Sequence, residues 1–238
     1  MTSSQRERCT LQLLSGGAAQ GLVRALEEDF RRDTGASVQG TFGAVGAMRE
    51  KLLAGAPCDV VILTAALVAE LEEGGRVVPG TSAPLGHVRT GVAVRVGDAL
   101  PDIADGAGLR DTLLAASGIF FPDPELATAG IHFVKVLRKL GILDDVAPRL
   151  HPHPNGATAM RELAKATGRG LVGCTQIPEI KYTPGVVLVG PLPAEFELST
   201  VYTVAVCTGA REPHLARRFA EMLSGATARL LREGAGFE

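Results

Sequence analysis

Three short stretches set small or polar residues just ahead of a helix-like pattern. In "LQLLSGGAAQGL", Ser15, Gly16 and Gly17 end an apolar run and open a helix. A helix start exposes unpaired N–H groups and a positive dipole end, so it can hold a carboxylate or oxyanion without a lysine. The two glycines permit close approach of the backbone. Ser15 can equally be a plain helix cap, and residue types alone leave both roles open. "TFGAVGAM" repeats the arrangement without a hydroxyl, so only the N–H groups near Ala44 and Val45 can serve a ligand. A strand-to-helix turn that needs small residues explains that stretch as well. "DPELATAGIHF" offers a third start, at Thr128 and Ala129.

Several side chains could work beside such an anion. His132 falls in the first turn after Thr128 and is the candidate proton carrier. The helix start disfavours its imidazolium form and bound carboxylates favour it, so its pKa can be tuned either way. A hydrogen-bonded structural histidine is the alternative. Arg89, in "HVRTGVAV", can fork a carboxylate or lie at a solvent-facing edge. Asn155, in "NGATAM", is a cap or a ligand donor, while Thr175 and Gln176, in "CTQIPEI", can orient a carboxylate or hydroxyl. Glu179 could act as a base, but a carboxylate beside an anionic ligand must overcome like-charge repulsion, so it is assigned to a solvated helix face. His151 and His153 sit in the Pro-rich "LHPHPN", read as a loop. An H-x-H pair without a third ligand gives no expected metal site, and no cofactor is expected.

The elements that must position these residues alternate between apolar runs and helical patterns, which predicts an α/β fold with largely parallel sheets. Strands are expected at Cys9–Leu14, "ASVQGTF", "CDVVIL", "HVRTGVAVRVG", "GIFF", near Leu150, "GLVGC", "GVVLVGPLP" and "TVYTVAVCT". Helices are expected at Ala18–Arg32, Val45–Ala54, Ala65–Glu73, Leu109–Ala116, Ile131–Leu140, Ala157–Ala166, Glu212–Leu223 and Ala226–Glu233. Crossings near residues 78–86 and 191–200 divide the chain into two lobes: 1–84 plus 201–238, and 85–200. A ligand cleft between lobes and hinge closure follow from that plan.

Composition excludes some partners. The chain has 238 residues, a net charge of −2 and 4% aromatics, with no basic stripe and few stacking platforms, so nucleic acid is not an expected ligand. No apolar stretch reaches membrane-spanning length. Cys9, Cys58, Cys174 and Cys207 form no C-x-x-C pair and are read as small hydrophobes. The first twenty residues lack a continuous signal-peptide segment, so a cytoplasmic location is expected, or a periplasmic one if the native chain begins further upstream. A homodimer is compatible with all of this.

Five segments, "SGGAAQGL", "FGAVGAMREKLLAGAPCDVVIL", "FPDPELATAGIHFVKVLRKLGI", "GLVGCTQIPEI" and "PGVVLVGPLP", resemble in order the type II periplasmic solute-binding fold. The branch is that of the molybdate-binding proteins of ABC importers. The "HVRTGVAVRVG", "GIHF" and "TQIPEI" segments are similar to a sub-branch that includes aconitate isomerase. The resemblance implies two lobes, each a mostly parallel sheet flanked by helices, with the ligand between them. Molybdate binders offer serine hydroxyls in the first two ligand loops and a tyrosine in the last. Here Ser15 remains, Ala44 and Val45 replace the second hydroxyl, and Gly173 falls where the tyrosine is expected. The resemblance therefore implies a small organic di- or tricarboxylate as partner. It also implies a cofactor-independent shift of an allylic proton that interconverts cis- and trans-aconitate. A non-catalytic binding protein for an oxyanion or carboxylate is the alternative.

Overall fold

The structure is a computed structural model that describes residues 9–238; the reading of the first eight residues lies outside the described residues. In chain order the strands are β1 (Thr10–Gly16), β2 (Ser37–Gly43), β3 (Val60–Thr64), β4 (Ala83–Arg95), β5 (Gly118–Pro122), β6 (Leu150–His153), β7 (Leu171–Gln176), β8 (Val186–Pro191) and β9 (Ser199–Val206). The helices are α1 (Gln20–Thr34), α2 (Val45–Leu53), α3 (Ala65–Glu73), α4 (Gly106–Ala115), α5 (Thr128–Lys139), α6 (Leu143–Val146), α7 (Gly156–Lys165), α8 (Ile177–Tyr182), α9 (Pro213–Ser224) and α10 (Arg229–Ala235). The fold is mixed α/β, a curled sheet with flanking helices.

The strand order is β2-β1-β3-β9-β4-β7-β5-β6, with β8 paired to β4. The pairing of β4 changes along its length. Ala83–Arg89 runs antiparallel to β9, whereas Thr90–Arg95 lies between β7 and β8. Residues 83–86, part of an expected crossing segment, therefore belong to a strand. The parallel pairs are β1 with β2 and β3, and β5 with β6 and β7. The antiparallel strands β4, β8 and β9 make the sheet less parallel than the alternation pattern implied, because β4 and β9 carry the chain between the halves.

Each half has its own core. Leu22, Leu26 and Phe30 recur on one face of α1 and pack with Leu13, Ile62, Val204 and Phe219. In the other half, Leu109, Ile119, Phe121, Phe133, Leu137 and Val172 close one face, and Phe120, Met160, Leu163 and Ile180 fill the other. His151 and His153 are not in a loop. They lie on β6, an edge strand that tolerates Pro152, and both rings stack on Phe120 with centroids 4.8 and 5.8 Å away. Burial lowers the pKa of His153. Among the described residues there is no cluster of three His, Cys, Asp or Glu side chains fit to hold a metal, and no helix long and apolar enough to cross a membrane.

Phe133 holds α5 against β5 through Phe121, with ring centroids 5.4 Å apart. Phe133→Ala is expected to cost about 3–5 kcal/mol in urea unfolding. Exposed Lys135, on the same helix, should be replaceable by Ala within about 0.5 kcal/mol. Equal effects would show that α5 is not anchored by this contact.

Candidate functional site

Parallel strands end where a ligand can meet the helices that follow them. Here β1, β2, β5, β6 and β7 deliver Gly17, Ala44–Val45, Ala127–Ala129, Asn155–Gly156 and Gln176 to one cleft, joined by Glu179 and Tyr202. Four helical segments begin at its rim: the 3₁₀ turn leading into α1, then α2, α5 and α7. The free volume is about 20 Å³, room for roughly one water. The two halves touch across it. The Gly46 N–H donates to the Leu126 carbonyl at 3.2 Å, and the Tyr182 hydroxyl donates to Gln20 Oε1 at 3.0 Å. A larger cavity, about 690 Å³, lies elsewhere between Val94, Ala115 and Arg169. It sits at the carbonyl end of α4, which offers no N–H groups to an anion.

Glu179 is the central group. The expectation of a solvated face is overturned: Glu179 is 5% exposed. It sits in α8, a six-residue helix with Pro178 in its first turn, packed between the halves. Its carboxyl fits because two residues lack side chains. A Cβ at Gly17 would lie 2.1 Å from Oε1, and one at Gly156 would lie 2.0 Å from Oε2. The Thr175 hydroxyl donates to Oε2 at 2.5 Å. Burial pushes the Glu179 carboxyl up to about 7, while Thr175 and the N–H groups of Ala157 and Gln176 pull the other way. Tyr202, also buried, is raised by burial and by the Glu179 charge.

Of the residues expected to bind a ligand, Gly17, Ala44, Val45, Thr128, Ala129, Asn155 and Gln176 line the cleft. Asn155 also caps α7, accepting from the Thr158 N–H at 2.9 Å. Thr175 stands behind and holds Glu179. The rest are not brought together with them. Ser15 is fully buried, its hydroxyl donating to the Gly16 carbonyl at 2.9 Å. It neither caps a helix nor lines the cleft. Gly16 makes way for the Tyr202 ring, 2.8 Å from where its Cβ would be.

His132 turns from the cleft and donates from Nε2 to the Phe196 carbonyl at 2.7 Å. Arg89 pairs with Glu238, Nε to Oε1 at 3.1 Å. Gly173 faces Met160 and Leu163 in the core, so the tyrosine at the cleft is Tyr202, not a residue of the β7 loop. Tyr202 escaped the sequence reading, and Glu179 was weighed there as a base but assigned to the wrong environment. The only local signal was the four-residue spacing from Thr175 to Glu179, one helical turn.

The geometry of a cleft ringed by helix starts is shared with known proteins. Residues 11–238 match the bacterial extracellular solute-binding protein family, and the chain belongs to it. It is 26% identical over 238 residues to the aconitate isomerase of a Pseudomonas species, covering 96% of this chain and 87% of that one. It is 25% identical over 199 residues to the molybdate-binding protein ModA of Escherichia coli, covering 81% and 76%. The periplasmic molybdate-binding protein of Azotobacter vinelandii superposes with a TM-score of 0.79 at 21% identity, covering 96% and 98%. The chain is thus a solute-binding domain related to molybdate-binding proteins.

The folded state holds the Glu179 proton up to about pH 7, and an ordinary carboxyl releases it near 4.5. Unfolding therefore releases a proton between those values. The stability Glu179 contributes is fully present below pH 4.5, is lost as pH rises to about 7, and levels off above. The loss is at most about 3 kcal/mol. Urea unfolding of the ligand-free protein should show this decline, and Glu179→Gln should remove it. An unchanged slope in the variant would assign the decline to another group.

Proposed function

We propose that the cleft binds a small organic di- or tricarboxylate and that the protein is a cofactor-independent isomerase of the aconitate type. The observation that carries this reading is the buried Glu179 carboxyl, set among helix starts and titrating near neutrality. An oxyanion needs only fixed donors such as the helix starts, and its binding has no use for a group that changes its protonation state near neutrality. A proton-shifting site needs one group that both takes and returns a proton near the working pH.

In this reading the N–H groups at the starts of α1, α2, α5 and α7 hold the ionised carboxylates. Glu179 accepts the allylic proton: its C–H bond breaks, an O–H bond forms on Glu179, and the electron pair delocalises into the adjacent carboxylate. Return of that proton to the far carbon of the allyl unit shifts the double bond. Closure of the two lobes excludes water from the charged intermediate. The second reading, a non-catalytic protein for a carboxylate or oxyanion, is supported by family membership and by the likeness to the molybdate-binding proteins. His132, bonded to Phe196, is a weaker candidate for the proton carrier than Glu179.

NMR of cis-aconitate in deuterated buffer separates the readings. The protein should change the isomer ratio, with deuterium entering only as far as the Glu179 proton exchanges before its return. Glu179→Gln should lower the rate at least a hundredfold while ligand still raises the melting temperature, and His132→Ala should stay within tenfold of the parent. Binding with no change in the isomer ratio would leave only a binding protein. Stabilisation by molybdate but by no carboxylate would overturn the carboxylate reading.

A further inference from the structure

Gln176 is among the residues that line the cleft and is 3% exposed, yet neither Oε1 nor Nε2 of its amide has a hydrogen-bond partner. Directly opposite it on β4 lies Thr90, on the same face of the sheet. Thr90 is 1% exposed and its Oγ1 is also unpartnered. The polar neighbour best placed to occupy the amide therefore does not, and Gln176 has no structural use for either end. Buried polar groups are almost always paired, so an amide left open at both ends, on a residue that lines a cleft, is a recognition surface for what enters it.

We propose that Gln176 reads a ligand edge carrying one hydrogen-bond donor and one acceptor, the edge of an un-ionised carboxyl or of a primary carboxamide. This rests on the carboxylate reading of the cleft and names the form in which that ligand is held. A carboxyl group closes two bonds with an amide: its O–H donates to Oε1 and its carbonyl accepts from Nε2. The argument is the same if the amide is turned over, because one acceptor and one donor remain. A fully ionised tetrahedral oxyanion presents acceptors only. It would set an oxygen against Oε1 and leave that atom unpaired. The cleft is thus polarised: helix starts hold an ionised end of the ligand, and Gln176 holds a neutral one.

Calorimetric titration at pH 8 with cis-aconitate and with its three monoamides tests this. Each monoamide keeps the carbon skeleton and meets the same Glu179, so their comparison isolates the Gln176 end. The parent protein should bind the best monoamide at least tenfold more tightly than the trianion, and Gln176→Leu should shrink that preference to within about threefold. Binding of both without preference, preference for the trianion, or a preference that survives Gln176→Leu would each overturn this inference alone. The parent comparison needs no variant, so a Gln176→Leu protein that fails to fold does not rescue the idea. No binding by any of the four probes would overturn the carboxylate reading and this inference with it.

Discussion

β4 pairs with β9 as far as Arg89 and with β7 and β8 from Thr90 onward, so a single strand is shared by both halves of the sheet. The chain returns to the first half near Leu198–Ser199, where the Thr90 N–H donates to the Leu198 carbonyl. This arrangement turns the carboxyl ends of β1 and β2 towards those of β5, β6 and β7. Helix starts that lie more than a hundred residues apart then share one space. Each half keeps its own core.

The second constraint is charge. Helix starts favour anions, and the cleft already contains one ionisable acid, Glu179. Burial outweighs the Thr175 hydroxyl and the backbone N–H groups that favour its ionised form. Its proton is therefore held to near-neutral pH, which lowers the repulsion an incoming carboxylate would feel. Gly17 and Gly156 are part of the same device. Any side chain at either position would occupy the carboxyl's place, so the bare backbone serves Glu179 as much as it would serve a ligand.

Much of the fold was legible because period-two and helical patterns are local properties. The helix starts were legible for the same reason, and Gly17, Ala44, Val45, Thr128, Ala129, Asn155 and Gln176 all reach the cleft. What failed depended on tertiary placement. α8 spans only Ile177–Tyr182, too short to display an apolar face, and the repulsion argument assumed an ionised Glu179. The direction of His132 is set by a 3₁₀ turn at Ala194–Phe196 docking on α5. Arg89 is claimed by a residue 149 positions away. Tyr202 belongs to an alternating strand, and only its pairing to β4 and β3 decides that it faces the cleft.

The closed cleft, at about 20 Å³, is far smaller than any di- or tricarboxylate. A ligand must therefore part the contacts made by Gly46 with Leu126 and by Tyr182 with Gln20. α8 also packs across the halves, with the Tyr182 ring against Gly21 and with Ile177 and Pro178 against Gly236. Reclosure over a ligand can then be favoured by bonds that the empty cleft leaves unmade, above all at Gln176. Closure and selectivity would have one origin: a ligand that satisfies the amide as well as the helix starts is the one that stabilises the shut state, because it binds that state more tightly than the open one.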